Sequence, residues 1–161
     1  MIEALRLLIP LWCANALVNI FDYFRKKYHF PDYPLDGNRL WFDGRRILGS
    51  AKTIPGIPVL LLGGYVGGML IHSQNGLLPG FAVLLGEIIF GFIKRRIGIN
   101  QGDSLIIIDQ ADYLFAFYLL MILFRMTVDS KIIFIALGIT IPVHLLSNII
   151  AYKLKIRERF M

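Results

Sequence analysis

The chain has 161 residues, 57% of them hydrophobic and only 17% charged, with a formal net charge of +6 and a mean hydropathy of +0.65. So apolar a composition excludes an ordinary water-soluble domain, and a single cysteine, Cys13, excludes an intrachain disulfide. The positive charge is set among long apolar blocks, which points to cytoplasmic loops and to lipid or nucleotide phosphate, with no nucleic acid polymer as partner.

Five apolar blocks follow in chain order, at 3–24, 54–73, 77–93, 105–124 and 132–154. Each comes near the ~20 residues that a helix needs to cross ~30 Å of hydrocarbon. The expected fold is therefore all-α, a single transmembrane domain over 1–161 with five spanning helices. In the first block, Arg6 and Ala14-Asn15-Ala16 imitate a cleaved signal peptide, but Asn19 and Asp22 extend the pattern as a first helix. The loop 25–53 then carries seven Lys/Arg. The second block sets Gly63, Gly64, Gly67 and Gly68 at a spacing that suits close helix packing in lipid. The third block, the shortest, runs into Lys94-Arg95-Arg96 and a loop 94–104. The fourth opens on Asp109 and Asp112, and the fifth contains His144 and Asn148 before a basic tail. Fourteen of the seventeen Lys/Arg fall on one side of this arrangement, against Arg6, Arg125 and Lys131 on the other. The positive-inside rule then places the N-terminus outside and the C-terminus in the cytoplasm of a multi-pass cell-membrane protein.

Ionisable groups at membrane depth are costly, so each is a functional candidate. At ~1.5 Å of rise per residue, counted from the loop ends, Glu87 lies ~10 Å deep, Asp109 and Asp112 ~7 and ~12 Å, and His144 ~13 Å. All lie in the cytoplasmic halves of their helices, as do Asp22 and Asn148. A channel would spread polar groups across the whole thickness. Here they form a cup open to the cytoplasm, rimmed by Arg39, Arg45, Arg46, Lys52, Lys94, Arg95 and Arg96. Asp109 and Asp112, at i and i+3, share one helical face. Two carboxylates so close in low dielectric call for a cation between them, and Mg²⁺, held together with a polyphosphate, is the economical choice. A basic loop residue, or protonation of one member, would serve as well. Glu87 suits either the same metal or a basic neighbour. His144 and Asn148, at i and i+4, suit either hydrogen bonding between helices or the lining of the cup. Lys94-Arg95-Arg96-Ile97-Gly98-Ile99-Asn100-Gln101-Gly102-Asp103 suits a phosphate cradle. In the long loop, Asn38, Asp43, Arg45, Arg46, Gly49 and Lys52 suit nucleotide contact. The stretch from Gly44 to Thr53 is not a Walker motif, because Ser50 and Ala51 separate the second glycine from Lys52.

Three segments together resemble the archaeal CDP-archaeol synthases, the CTP:2,3-di-O-geranylgeranyl-sn-glycero-1-phosphate cytidylyltransferases. They are Pro34-Leu-Asp-Gly with Asp43-Gly-Arg-Arg-Ile-Leu-Gly and Lys52-Thr53, then Phe92-Ile-Lys-Arg-Arg-Ile-Gly-Ile, then Asp109-Gln-Ala-Asp112. The last is similar to the Asp-Arg-x-Asp of the related bacterial CDP-diacylglycerol synthases, with Gln110 in place of Arg. Glu87 stands where Asp is usual, and Gly91 near where Ser is usual. The resemblance implies a Mg²⁺-dependent enzyme in which an ether-lipid phosphate attacks the α-phosphorus of CTP, giving CDP-archaeol and pyrophosphate. It implies Asp109 and Asp112, with Glu87, as metal ligands. It implies Lys94 as a catalytic cation, and Lys52, Arg45, Arg46, Arg95 and Arg96 around the phosphates. Two rivals remain in view: another Mg²⁺-dependent lipid-phosphate transferase, and a non-enzymatic transporter subunit. The CDP-alcohol phosphotransferase pattern fails here, since Asp36-Gly37 lacks the Ala-Arg that should follow and Asp109 to Asp112 is one residue too short.

Overall fold

A computed structural model describes residues 1–73, 76–100, 108–127 and 129–153, with 108–110 and 151 described as helix backbone. Five helices follow one another: α1 (Ile2–Lys27), α2 (Gly56–Leu70), α3 (Leu77–Arg96), α4 (Ile108–Leu123) and α5 (Ser130–Lys153). Each coincides with one of the five apolar blocks, and among the described residues the only β-type pairings are two isolated bridges in the loop before α2. The outside of the bundle is apolar, with Leu62, Met69, Phe81, Phe115, Ile122 and Phe134 exposed. That inverts the pattern of a water-soluble bundle and matches a protein solvated by lipid. By length and apolar content α1, α3 and Ser130–Ile150 of α5 are each able to cross a membrane. The 15 residues of α2 span only ~22 Å, because the chain enters α2 through the ordered loop at Thr53 and leaves it through a turn at Ile71.

Without a hydrophobic drive between helices in lipid, close packing must hold them, and the glycines of α2 supply it on two faces. A Cβ on Gly63 would lie 2.7 Å from the Ala14 Cα of α1, and one on Gly64 would lie 2.5 Å from the Gly80 nitrogen of α3. Only glycine fits at either position, so α2 is clamped between α1 and α3. On the far side of α3, Gly86 performs the same task toward α4: a Cβ there would come within 2.8 Å of the Asp112 carbonyl oxygen. The buried core runs through Leu8, Leu11, Leu60, Val83, Tyr113 and Leu114. Tyr113 directs its hydroxyl toward Thr140 of α5 and Trp12 of α1. Its helix α4 packs on α3 and α5, while α5 rests on α1 and α4. The α1 segment that imitates a signal peptide is part of this core, with Leu8, Leu11 and Ala14 fully enclosed.

Candidate active site

The loop between α1 and α2 folds back over the ends of the helices, and one carboxylate organises it. Asp36 has a wholly buried side chain that receives Arg46 at 2.5 Å. Its Oδ2 accepts the backbone N–H groups of Leu48 and Gly49, each at 3.1 Å, and its Oδ1 accepts that of Asn38 at 3.1 Å. The local sequence permits this, because Gly37 and Asn38 take up φ of 57° and 62°, and Gly and Asn are the residues that adopt this region most readily. Burial by itself raises the carboxyl, but the Arg46 guanidinium and the three amides outweigh it and hold the Asp36 pKa at about 2. Asp36 stands in the Pro34-Leu-Asp-Gly motif, but the sequence reading gives it no role in the site. Its signal was the Asp-Gly turn itself, with a donor-rich segment ten to thirteen residues downstream.

The loop is docked on the end of α3. The guanidinium of Arg45 lies 3.3 and 3.4 Å from the carbonyl oxygens of Arg95 and Arg96. Arg96 reaches back to Asp43 at 3.1 Å and to the Arg46 carbonyl at 2.7 Å. Arg95 donates to the Ile99 carbonyl. Buried Leu48 lies over Gly91, where a Cβ would meet it at an ordinary 3.9 Å. Four of the cations expected at phosphates, Arg45, Arg46, Arg95 and Arg96, are thus engaged in shaping the loop and its seat. The Gly49 amide is given to Asp36, Asp43 to Arg96, and Asn38 stands exposed at the turn.

Deeper in, Lys52 forms an ion pair with Glu87 of α3 at 2.9 Å, both side chains being largely buried. One of the two partners open to Glu87 in the sequence, a basic neighbour, is thus in place. The pair lines a small pocket with Val18, Thr53, Gly56 and Leu84. Glu87 directly follows Gly86, the residue on which the Asp112 peptide rests. Lys52, Glu87 and Asp112 are therefore brought to one level by three separate stretches of chain. Asp112 is half-buried, and its Oδ1 accepts the Tyr113 N–H at 2.6 Å. Asp109 sits one turn earlier, at the start of α4, and its side chain lies outside the described residues, as do residues 101–103 of the expected cradle. Lys94 is half-buried near the end of α3.

Asp22, another expected member of the cup, is engaged at the end of α1. Asp22 pairs with Arg25 and, at 2.8 Å, with Lys26, and Arg25 also binds Asp32, so this cluster closes the end of α1. His144 Nδ1 and Asn148 Nδ2 lie 3.4 Å apart along α5 itself, so that contact runs within one helix.

Among the described residues no three His, Cys, Asp or Glu side chains gather into a metal cluster, a set that does not include the Asp109 side chain. By residue type, Asp109 and Asp112, one turn apart on α4, are hard oxygen donors of the kind that suits an ion that keeps water and takes phosphate as ligands. Mg²⁺ is commonly held in that way.

A family model described as "CarS-like: CDP-archaeol synthase" matches residues 65–161. A CDP-archaeol synthase of Sulfolobus acidocaldarius is 33% identical, over 78% of this chain and 81% of that protein. One of Methanospirillum hungatei is 34% identical, over 78% and 87%, and one of Thermofilum pendens 29%, over 93% and 76%. A solved structure described as an intramembrane enzyme for archaeal membrane lipids biosynthesis superposes with a TM-score of 0.74 at 27% identity, covering 92% of this chain and 94% of that one.

Proposed function

The chain belongs to the CDP-archaeol synthase family, and on that premise we propose that it is a membrane cytidylyltransferase of phospholipid biosynthesis. It joins CTP to an unsaturated archaeal ether-lipid phosphate, 2,3-di-O-geranylgeranylglycerol 1-phosphate, with release of pyrophosphate. All five helices cross the cell membrane, the N-terminus outside, so that the 25–53 and 94–104 loops face the cytoplasm where CTP is found. The observation that supports this most is the Lys52–Glu87 ion pair, set at the level of Asp112 beneath a basic loop. Nucleotide reaches that level from the water, and a lipid phosphate reaches it sideways from the leaflet.

The nucleophile is a phosphate oxygen that is already anionic, so no strong general base is needed. That oxygen bonds to the α-phosphorus of CTP. The bond from the α-phosphorus to the bridging oxygen breaks, and pyrophosphate leaves with the electron pair. Catalysis then rests on positioning and on charge. Asp109 and Asp112 would hold Mg²⁺, which when bound supplies positive charge to the in-line transition state and the leaving group. Glu87, whose Oε2 holds Lys52, would complete that ligand set through its other oxygen. Lys52 and Lys94 neutralise the phosphates. Arg45, Arg46 and Arg96 act one step back, holding the loop on α3 so that Lys52 stays at the depth of Asp112. A thermal-shift panel of CTP, dCTP, ATP, GTP and UTP with Mg²⁺ tests the assignment. The cytidine nucleotides should stabilise the protein most, and equal stabilisation by all five would refute the choice of CTP.

A further inference from the structure

The loop carries one feature that its docking leaves exposed. Residues 39–47 form a tight hairpin, with Leu40 bridged to Arg46, Trp41 N–H donating to the Arg45 carbonyl at 2.8 Å and Gly44 N–H closing a turn on the Trp41 carbonyl at 2.9 Å. Gly44 takes φ of 73° at the end of that turn, a region that favours glycine. The tip is apolar and open: Leu40, Trp41 and Phe42 are all exposed, Phe42 at 96%. Three large apolar side chains in a row at a hairpin tip mark a surface that meets something other than water.

The height of the tip identifies the partner. Trp41 packs edge-on against Phe92 of α3, ring centroids 5.3 Å apart, and Phe42 in turn packs on Trp41 at 5.1 Å. The Arg96 guanidinium covers both Phe92, at 4.9 Å, and Trp41, at 5.9 Å. Phe92 precedes Lys94 by two residues, ~3 Å toward the bilayer from the first cation of the helix end. Trp41 is therefore held at the boundary of hydrocarbon and headgroups, where tryptophan concentrates in membrane proteins. The end of α1 has the same character, with Phe24 stacked on Tyr28 and Lys27 over the Tyr23 and Tyr28 rings. Charge agrees as well: Asp43 is neutralised by Arg96, and Arg39 beside the tip is exposed, which favours an anionic leaflet.

We propose that Leu40, Trp41 and Phe42 form a membrane anchor, inserted at the headgroup boundary of the leaflet in which α3 ends, and that it ties the loop bearing Lys52 to the bilayer surface. The inference requires only that α3 spans the membrane, and it stands or falls apart from the nucleotide chemistry.

A nitroxide at position 42, on the exposed tip, tests it. Phe42→Cys is made in a Cys13→Ala background, so that the label has one site, and the protein is placed in nanodiscs of anionic lipid. The label should collide more often with oxygen, which concentrates in lipid, than with a water-soluble nickel chelate. The reverse order would place the tip in the cytosol and overturn the proposal. A second measurement uses Trp12→Phe, which leaves Trp41 as the sole tryptophan. Lipids brominated just below the headgroup should quench Trp41 severalfold more than lipids brominated near the chain end, and adding Phe42→Ser should weaken that quenching. Emission that iodide quenches as fully as free tryptophan, or that responds to CTP and not to brominated lipid, would overturn the proposal and make the tip a solvated or nucleotide-stacking element.

Discussion

Replacing Asp36 by Asn should release the loop while leaving the helical bundle folded. The carboxylate sits at about 2, against an ordinary 3.8. At about 1.4 kcal/mol per pH unit, its ionised form contributes roughly 2 kcal/mol to the closed loop. Asparagine keeps the shape but loses the charge and turns an NH₂ toward Arg46 and the amides of Leu48 and Gly49, so the loss should be at least that large. Two kcal/mol corresponds to a change of roughly 30-fold in the open fraction. Hydrogen exchange at the Leu48 and Gly49 amides reads this directly, because both donate to Asp36. In Asp36→Asn they should exchange roughly 30-fold faster or more, with little change at Leu60 or Val83 in the core. The pH dependence has a definite sign. A depressed carboxyl stabilises above its unfolded value and loses that effect as pH falls through its folded value. Protection in the wild type, relative to intrinsic exchange, should therefore hold above about pH 4 and fade toward pH 2, whereas in Asp36→Asn it should stay flat. Unchanged exchange in the variant would refute the view that this carboxylate organises the loop.

Two further predictions concern α3. Gly86→Ala should push α4 away, since the new Cβ would lie 2.8 Å from the Asp112 carbonyl oxygen, whereas Gly91→Ala meets only Leu48 at 3.9 Å. Displacement of a catalytic carboxylate by up to 1 Å costs on the order of 10²-fold in rate, so turnover should collapse in the first variant and hold within about threefold in the second. Equal activity of the two would contradict the packing described. Lys52→Met and Glu87→Gln should each lower the melting temperature, while the double variant should be less destabilised than their sum, with a coupling of about 1 kcal/mol for a largely buried pair. Strict additivity, measured by thermal unfolding in detergent, would show that the pair contributes nothing. Of the single variants, Lys52→Met should also raise the KM for CTP.

The helices were legible because lipid demands long apolar runs, and all five blocks appear where composition puts them. The packing of α2 was legible too, because Gly63, Gly64, Gly67 and Gly68 have little use other than close approach. The choice of partners was not. Glu87 meets Lys52, thirty-five residues earlier, only after the loop has folded, and no local spacing encodes that. That Arg45, Arg46 and Arg96, expected at phosphates, also hold the loop together was not legible, because an arginine rich in donors serves an anion and a set of backbone carbonyls equally well. The role of Asp36, which holds Arg46, emerges only when Leu48 and Gly49 are brought back over it. His144 and Asn148 were legible as a pair on one face of α5, and the structure sets them 3.4 Å apart, but depth does not say which neighbour that face meets.

The central claim is tested most directly by following label from CTP into lipid, with the protein in liposomes that contain the ether-lipid phosphate. Radioactivity in the α-phosphate of CTP should appear in a CDP-lipid, with one pyrophosphate released per turnover. Label in the γ-phosphate should leave with the pyrophosphate. Turnover should stop on chelation of Mg²⁺ and fall by on the order of 10²-fold or more in Asp112→Asn. Transfer of the γ-label to lipid, or undiminished turnover in Asp112→Asn, would contradict the account.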